Sequence, residues 1–289
     1  MKVKQIFTSV MIIVVLATML TGCGKANKEF TTDSEIVVIS REDGSGTRSA
    51  FVELTGVLEK TETTVTDNTV PSAIIQNNTQ AVLTGVAGDN TAVGYISLGS
   101  LNDTVTAMKI EGVAPSAESI KDGSYKISRP FNIATKATVS EPAENFINYV
   151  LSTEGQKTIA QLGYVGAVEN SSPFTGVRGK GTVKIAGSSS VSPVIERLAE
   201  EYEKINPDVN IEVNTNDSST GMTSTAEGVV DIGMASRELK DSEIKKGLTG
   251  IAIAKDGIAV VINKENTVTD ITLEQLKSIY TGEVTTWEF

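Results

Sequence analysis

Three stretches of this 289-residue chain place small hydroxyl-bearing residues and glycines where a strand-like run gives way to a helical one. The first, Ser40-Arg41-Glu42-Asp43-Gly44-Ser45-Gly46-Thr47-Arg48, follows the apolar run 36–39 and precedes a helical pattern over 49–58. The second, Ala186-Gly187-Ser188-Ser189-Ser190-Val191-Ser192, leads into the most regular amphipathic pattern in the chain. The third, Asp217-Ser218-Ser219-Thr220-Gly221, lies between an apolar run at 209–213 and a helical stretch leading to Glu227. Glycines let backbone N–H groups approach an anion, and a helix start adds unpaired donors and a positive dipole end. Ser45 and Thr47 add hydroxyls, and Arg41 adds a planar fork suited to an oxyanion. One such turn is an ordinary N-cap. Three in one chain, one with a flanking arginine, make an anion site if they converge.

The composition removes most competing chemistry. There is no histidine, which excludes Ser-His-Asp and Cys-His catalysis and the commonest zinc ligand. Cys23 is the sole cysteine, so neither an intrachain disulfide nor a thiolate cluster can form. Ser242-Glu243-Ile244-Lys245 fits S-x-x-K, but no K-T-G accompanies it. No G-x-S-x-G or P-loop pattern occurs, and no pair of carboxylates stands out for acid–base work. A hydrolase would have to rely on a Ser-Lys arrangement. The expectation is a binding protein with no catalytic residues, no metal and no cofactor. A formal net charge of −11 argues against nucleic acid as partner.

The N-terminus sets the expected location. Lys2 and Lys4 precede a mostly apolar run from Ile6 to Leu20, which breaks at Leu20-Thr21-Gly22-Cys23. That layout is an export signal, too short to span a bilayer comfortably. Its small-residue ending resembles a bacterial lipobox, which implies cleavage before Cys23 and lipidation of it. Residues 1–22 are then the signal peptide and 23–33 a lipidated polar tether. The mature chain would carry 23 basic against 36 acidic side chains. What remains is long enough for two lobes with real cores.

The elements that must hold the three turns read as follows. Strands are expected at 36–40, 92–97, 182–186, 209–213, 229–234 and 257–263, as Val- and Ile-rich runs of the kind buried in α/β proteins. Helices are expected at 192–205, stopped by Asn206-Pro207; at 273–280, with Thr272 and Gln275 as a capping box and Gly282 beyond; at 141–151 after Ser140; and at 153–162 before Gly163. Trp287 reads as packing. The segment 167–181, rich in Ser, Gly and Pro, interrupts the rhythm.

Several separated motifs resemble the PstS-type phosphate-binding proteins of bacterial ABC importers: SREDGSGTRSAF at 40–51, GYISLG at 94–99, IAGSSSVSP at 185–193, DIGMASREL at 231–239 and AKDGIAVVIN at 254–263. The likeness covers about 35–168 and 181–289, with the two halves in the opposite order, as in a circular permutation. The resemblance implies a type II periplasmic-binding-protein fold: two α/β lobes, a hinge and an interlobe cleft. It places a continuous lobe at 98–263 and a discontinuous one at 34–97 with 264–289. Crossing strands are then expected near 95–98 and 260–263. Segment 167–181 becomes the joint between the family's usual termini, and the new ends near Glu35 and Phe289 should lie side by side. The implied ligand is inorganic phosphate. Ser189 would give a hydroxyl, Ser190 an N–H, Ser218 both, Arg41 a charged fork, and Ser45, Gly46 and Thr47 N–H and hydroxyl donors. Asp43 would orient Arg41 and accept a ligand proton. Ser236 stands where some members carry a proton-accepting carboxylate. The implied partners are the importer's permease subunits, and the membrane through Cys23. The implied state is a monomer on the outer face of the cell membrane. Another tetrahedral oxyanion, or a phosphate sensor or adhesin on the same fold, is the alternative.

Overall fold

The structure is a computed structural model that describes residues 29–289; the signal segment, Cys23 and the start of the tether lie outside the described residues. Eight strands carry the architecture: β1 (Val37–Arg41), β2 (Ile74–Gln76), β3 (Ala92–Ser97), β4 (Ser128–Thr135), β5 (Gly181–Ser188), β6 (Val209–Asn216), β7 (Ile232–Ala235) and β8 (Thr249–Asn263). Among the described residues, the longer helices packed on them are α1 (Gly46–Thr55), α2 (Thr79–Ala87), α3 (Glu141–Leu151), α4 (Thr153–Gln161), α5 (Ser192–Ile205), α6 (Ser218–Ala226) and α7 (Leu273–Thr281). The strand order is β6-β5-β7-β4-β8-β3-β1-β2. Parallel pairs lie at both ends of that order, β6/β5/β7 and β3/β1/β2. Antiparallel pairs involving β4 and β8 join them.

Among the described residues, the two largest of four core clusters follow from this order. One gathers Phe131, Ile133, Val183, Ile185, Ile195, Leu198, Ile232 and Ile253 under α3, α4 and α5. The other gathers Ile36, Phe51, Tyr95, Met108, Ile120, Ile127, Ile258, Val260 and Trp287. Residues 98–127 therefore pack with the lobe that contains the first turn. The lobe boundaries fall near 128 and 257, not at 98 and 263 as expected. The physical reason is β4: it runs beside β8 from Ser128↔Gly257 to Thr135↔Thr249, so these two strands cross between lobes. β3 belongs wholly to one lobe.

The crossing is pinned by a buried ion pair. Arg129 Nε and Nη2 donate to Asp256 Oδ2 at 3.3 and 3.1 Å, and Ser97 Oγ donates to Asp256 Oδ1 at 3.0 Å. Both charged side chains are essentially inaccessible, and the Arg129 guanidinium lies 5.4 Å from the Phe131 ring centroid. Burial pushes the Asp256 carboxyl up to about 6, against the pull of Arg129 and Ser97.

Residues 30–36 lie against residues 285–287. Glu35 bridges Thr286, Ile36 N–H donates to the Thr285 carbonyl at 2.8 Å, and Phe30 packs edge-on to Trp287. Trp287 is buried, with Nε1 donating to the Thr91 carbonyl. Residues 168–180 have no regular structure. Side chains nonetheless fasten them: Asn145 accepts from Arg178 N–H at 2.9 Å, Glu154 accepts from Phe174 N–H at 2.8 Å, and Phe174 packs edge-on to Tyr149.

Asp256→Asn leaves the Arg129 charge buried without its counter-ion. It is expected to lower stability by about 3–5 kcal/mol in chemical denaturation, with much of the loss recovered in Arg129→Met/Asp256→Leu. A single variant as stable as the parent would contradict the pinned crossing.

Candidate functional site

Each of the three turns sits at the carboxyl end of a strand and opens a helix. In the first, β1 ends at Arg41, and Ser45 caps α1 by accepting from Arg48 N–H at 3.3 Å. α1 thus begins at Gly46, three residues before the expected start, and its first amides point out of the helix start. In the second, β5 ends at Gly187-Ser188. Gly187 has φ 139°, and a Cβ there would collide with the Met234 carbonyl oxygen, so only glycine lets the turn pass this close to β7. In the third, Asp217 caps α6 by accepting from Thr220 N–H at 2.9 Å.

The turns converge. Arg41 Nη2 donates to Ser189 Oγ at 3.2 Å, and Thr47 Oγ1 lies 2.9 Å from Ser190 Oγ. Ser188 Oγ donates to Ser236 Oγ at 2.9 Å, and Ser236 N–H donates to Ser218 Oγ at 3.2 Å. Ser219 N–H donates to the Gly44 carbonyl at 3.2 Å. A Cβ on Gly46 would strike Ser218 Oγ and come within 2.7 Å of Ser236 Oγ. Arg41, Ser45, Gly46, Thr47, Ser189, Ser190, Ser218 and Ser236 are all buried. Ser189, Ser190, Ser218 and Ser236 come from one lobe and the others from its opposite, so the lobes are shut on each other.

Arg41 is the electrostatic centre. Its Nε and Nη2 each donate at 2.8 Å to the two oxygens of Glu42, and its Nη1 is buried without a partner among the described residues. Behind it, Arg41 N–H donates to the Tyr95 hydroxyl at 3.2 Å, and that hydroxyl also contacts Ser40 Oγ at 2.8 Å. Tyr95 stacks on Phe51 with centroids 3.9 Å apart, and burial pushes its hydroxyl up to about 12, so it stays protonated. The strand end that carries the guanidinium is therefore braced from behind.

Asp43 does not take the expected place. Its side chain is 96% exposed and pairs with Arg48 Nη1 at 3.0 Å. The same Nη1 donates to the Arg41 carbonyl at 2.8 Å, and Arg48 Nε donates to Asp67. The turn directs the carboxylate next to Arg41 inward and the following one outward, so Glu42 orients Arg41. Two further site residues escaped sequence reasoning. Ser188 supplies the hydroxyl under Ser236, and Thr79, the first residue of α2, lies 3.3 and 3.4 Å from Ser189 and Ser190 Oγ. The Asn78-Thr79 step before Val82 and Val86 signals a helix start but not its direction. Ser190 N–H donates to Ser188 Oγ at 3.3 Å. Ser242 lies exposed on a short helix whose Glu243 pairs with Arg237, at 2.8 Å between Nη2 and Oε1.

A groove of about 550 Å³ adjoins this centre, lined by Glu42, Asn78, Thr79, Ser189, Asn216 and Asp217 among others. Two lobes, two crossing strands and a polar centre between them define a clamshell binding protein. The comparisons agree. A family model described as PBP superfamily domain matches residues 17–154 and 172–288. The phosphate-binding protein PstS 2 of Streptococcus agalactiae serotype V is 46% identical over 270 residues, 93% of this chain and 92% of that protein. The phosphate-binding protein PstS of Staphylococcus saprophyticus is 41% identical over 118 residues, 38% of this chain and 37% of that protein. The crystal structure of a phosphate ABC transporter phosphate-binding protein from Streptococcus pneumoniae TIGR4 superposes with TM-score 0.70 at 44% identity, covering 88% of this chain and 99% of that one. The chain belongs to the PBP superfamily and, within it, to the PstS-type phosphate-binding proteins.

Proposed function

We propose that this protein captures inorganic phosphate in its interlobe cleft and delivers it to the permease of an ABC importer. The observation that carries the reading is the buried, unpaired Nη1 of Arg41, a guanidinium whose Nη2 reaches Ser189 of the opposite lobe. A buried guanidinium N–H without an acceptor costs free energy unless a ligand supplies one. Thr47, Ser189, Ser190 and Ser218 are neutral donors suited to a tetrahedral oxyanion, and the starts of α1 and α6 add dipole ends. The binding activity named for the streptococcal relatives supports the same ligand.

Glu42, the carboxylate that the first turn directs inward, is engaged on both oxygens by Arg41. With Asp43 outside, acceptance of a ligand proton falls to hydroxyls such as Ser236. A hydroxyl both accepts and donates, which favours a reading that extends to other tetrahedral oxyanions. Sulfate therefore belongs in every titration.

The reversed order of halves is proposed to be a circular permutation native to the chain. The joined ends at Glu35 and Thr286 support it, as does the near full-length alignment with the Streptococcus agalactiae protein. The Staphylococcus saprophyticus protein aligns over 38% of this chain, as opposite orders of the halves would give. Export, lipidation of Cys23 and a monomeric state complete the proposal. Such an anchor would hold the cleft at the extracellular face of the cell membrane, where a permease could take the ligand.

Residues 24–289 contain every described element and suffice for the binding test. Isothermal titration with phosphate is expected to show one site per chain, and Arg41→Met to weaken it roughly 10- to 150-fold through loss of a charge-assisted hydrogen bond. Absence of heat with phosphate, or an unchanged Arg41→Met variant, would contradict the reading; equal affinity for sulfate would favour the wider oxyanion class. Cys23→Ala in the full chain is expected to shift the protein from the detergent phase to the aqueous phase in a partitioning assay, and equal partitioning would contradict the anchor.

A further inference from the structure

Thr79 carries no role in the reading above, yet it occupies a singular position. Among the described residues, it is the one side chain from its lobe that reaches both Ser189 and Ser190, at 3.3 and 3.4 Å. Arg41 contacts only Ser189 of this pair, and Thr47 only Ser190. Thr79 thus links the Arg41–Ser189 contact to the Thr47–Ser190 contact, in a chain of four hydroxyls and one guanidinium that crosses the cleft.

The helix does not need this hydroxyl. Asn78 is the N-cap of α2, its Oδ1 accepting from Ala81 N–H at 2.8 Å. Val82, Leu83 and Val86 seat the helix against Ile39 and Ile96, so the position of Thr79 is fixed from behind. β2, which feeds the helix, pairs Gln76 with Arg41, and the Gln76 carbonyl accepts from Glu42 N–H at 3.1 Å. The Arg41 fork and Thr79 are therefore set by the same two strand ends. Thr79 is 6% exposed. Its two contacts are long against the ~2.7–2.8 Å usual for O–H···O, while Thr47 and Ser190 sit at 2.9 Å. A buried hydroxyl held this loosely by its neighbours can turn to an acceptor placed between the lobes.

We infer that Thr79 is a ligand-binding residue of the closed state: its hydroxyl donates to an oxygen of the bound phosphate once Ser189 and Ser190 have swung against it. This rests on the phosphate reading and adds a residue to it. A contact that needs both lobes forms after the encounter. Its loss therefore speeds release and leaves capture unchanged.

The test uses residues 24–289 with inorganic phosphate. Release is followed by chasing radiolabelled phosphate with unlabelled phosphate, and affinity by titration. Thr79→Val removes the hydroxyl at nearly constant volume. It is expected to raise the release rate about 10-fold with the association rate within about 2-fold of the parent. Thr79→Ser is expected to restore slow release. Thr79→Ala supplies the same hydroxyl-free comparison with Thr79→Ser should valine disturb the seating of α2. Release from the hydroxyl-free variants at the parent rate, or a serine variant as fast as they are, would overturn the inference while leaving phosphate binding intact. A parent chain that takes up no phosphate would overturn the functional reading and this inference together.

Discussion

The site depends on how one guanidinium is held. Arg41 sits at the last position of a buried strand, backed by the Tyr95 hydroxyl and by a stacked Phe51 ring. Glu42 takes two of its nitrogens and fixes the plane of the fork. Nη1 is left over without a partner among the described residues, on the guanidinium whose Nη2 meets Ser189 of the opposite lobe. Because Glu42 offsets the charge locally, the bare positive charge at the centre is small. Directed N–H and O–H dipoles must then carry much of the stabilisation of an anion, and these are effective only where water is excluded.

Water exclusion requires closure, and closure requires a hinge that keeps its register. The crossing strands β4 and β8 pair antiparallel along their shared length, and Arg129–Asp256 locks the point where they leave one lobe for the other. Closure about a few crossing residues is one way in which packed lobes move as rigid bodies. The close approach of α1 to α6 across the cleft is the other half of this design. Gly46 is small because Ser218 and Ser236 come within contact of it when the lobes shut.

Much of this was legible in the sequence. Apolar spacing with the Asn206-Pro207 stop put a helix at 192–205, and the run after Ser140 put one at 141–151, both as observed, and the three hydroxyl-rich turns were recognisable as helix starts. The crossing strand β4 was not legible. Pro130 argues against a central strand, and Arg129 and Asn132 break the apolar pattern. Their partners, Asp256 and the Arg237 carbonyl, lie over a hundred residues away. Lys255-Asp256-Gly257 has turn-forming composition, which hid the first part of β8 and moved the expected hinge. The exchange of Asp43 for Glu42 has a similar cause. Two adjacent carboxylates follow Arg41, and only the path of the backbone after the strand decides which faces inward.

A crystal structure of the protein grown with phosphate tests the central claim most directly. The account requires one tetrahedral ligand enclosed between the lobes, with an oxygen at hydrogen-bonding distance from Arg41 Nη1 and others on the hydroxyls of Thr47 and Ser189. Phosphate bound in the outer groove, with Arg41 Nη1 still lacking an acceptor, would contradict it.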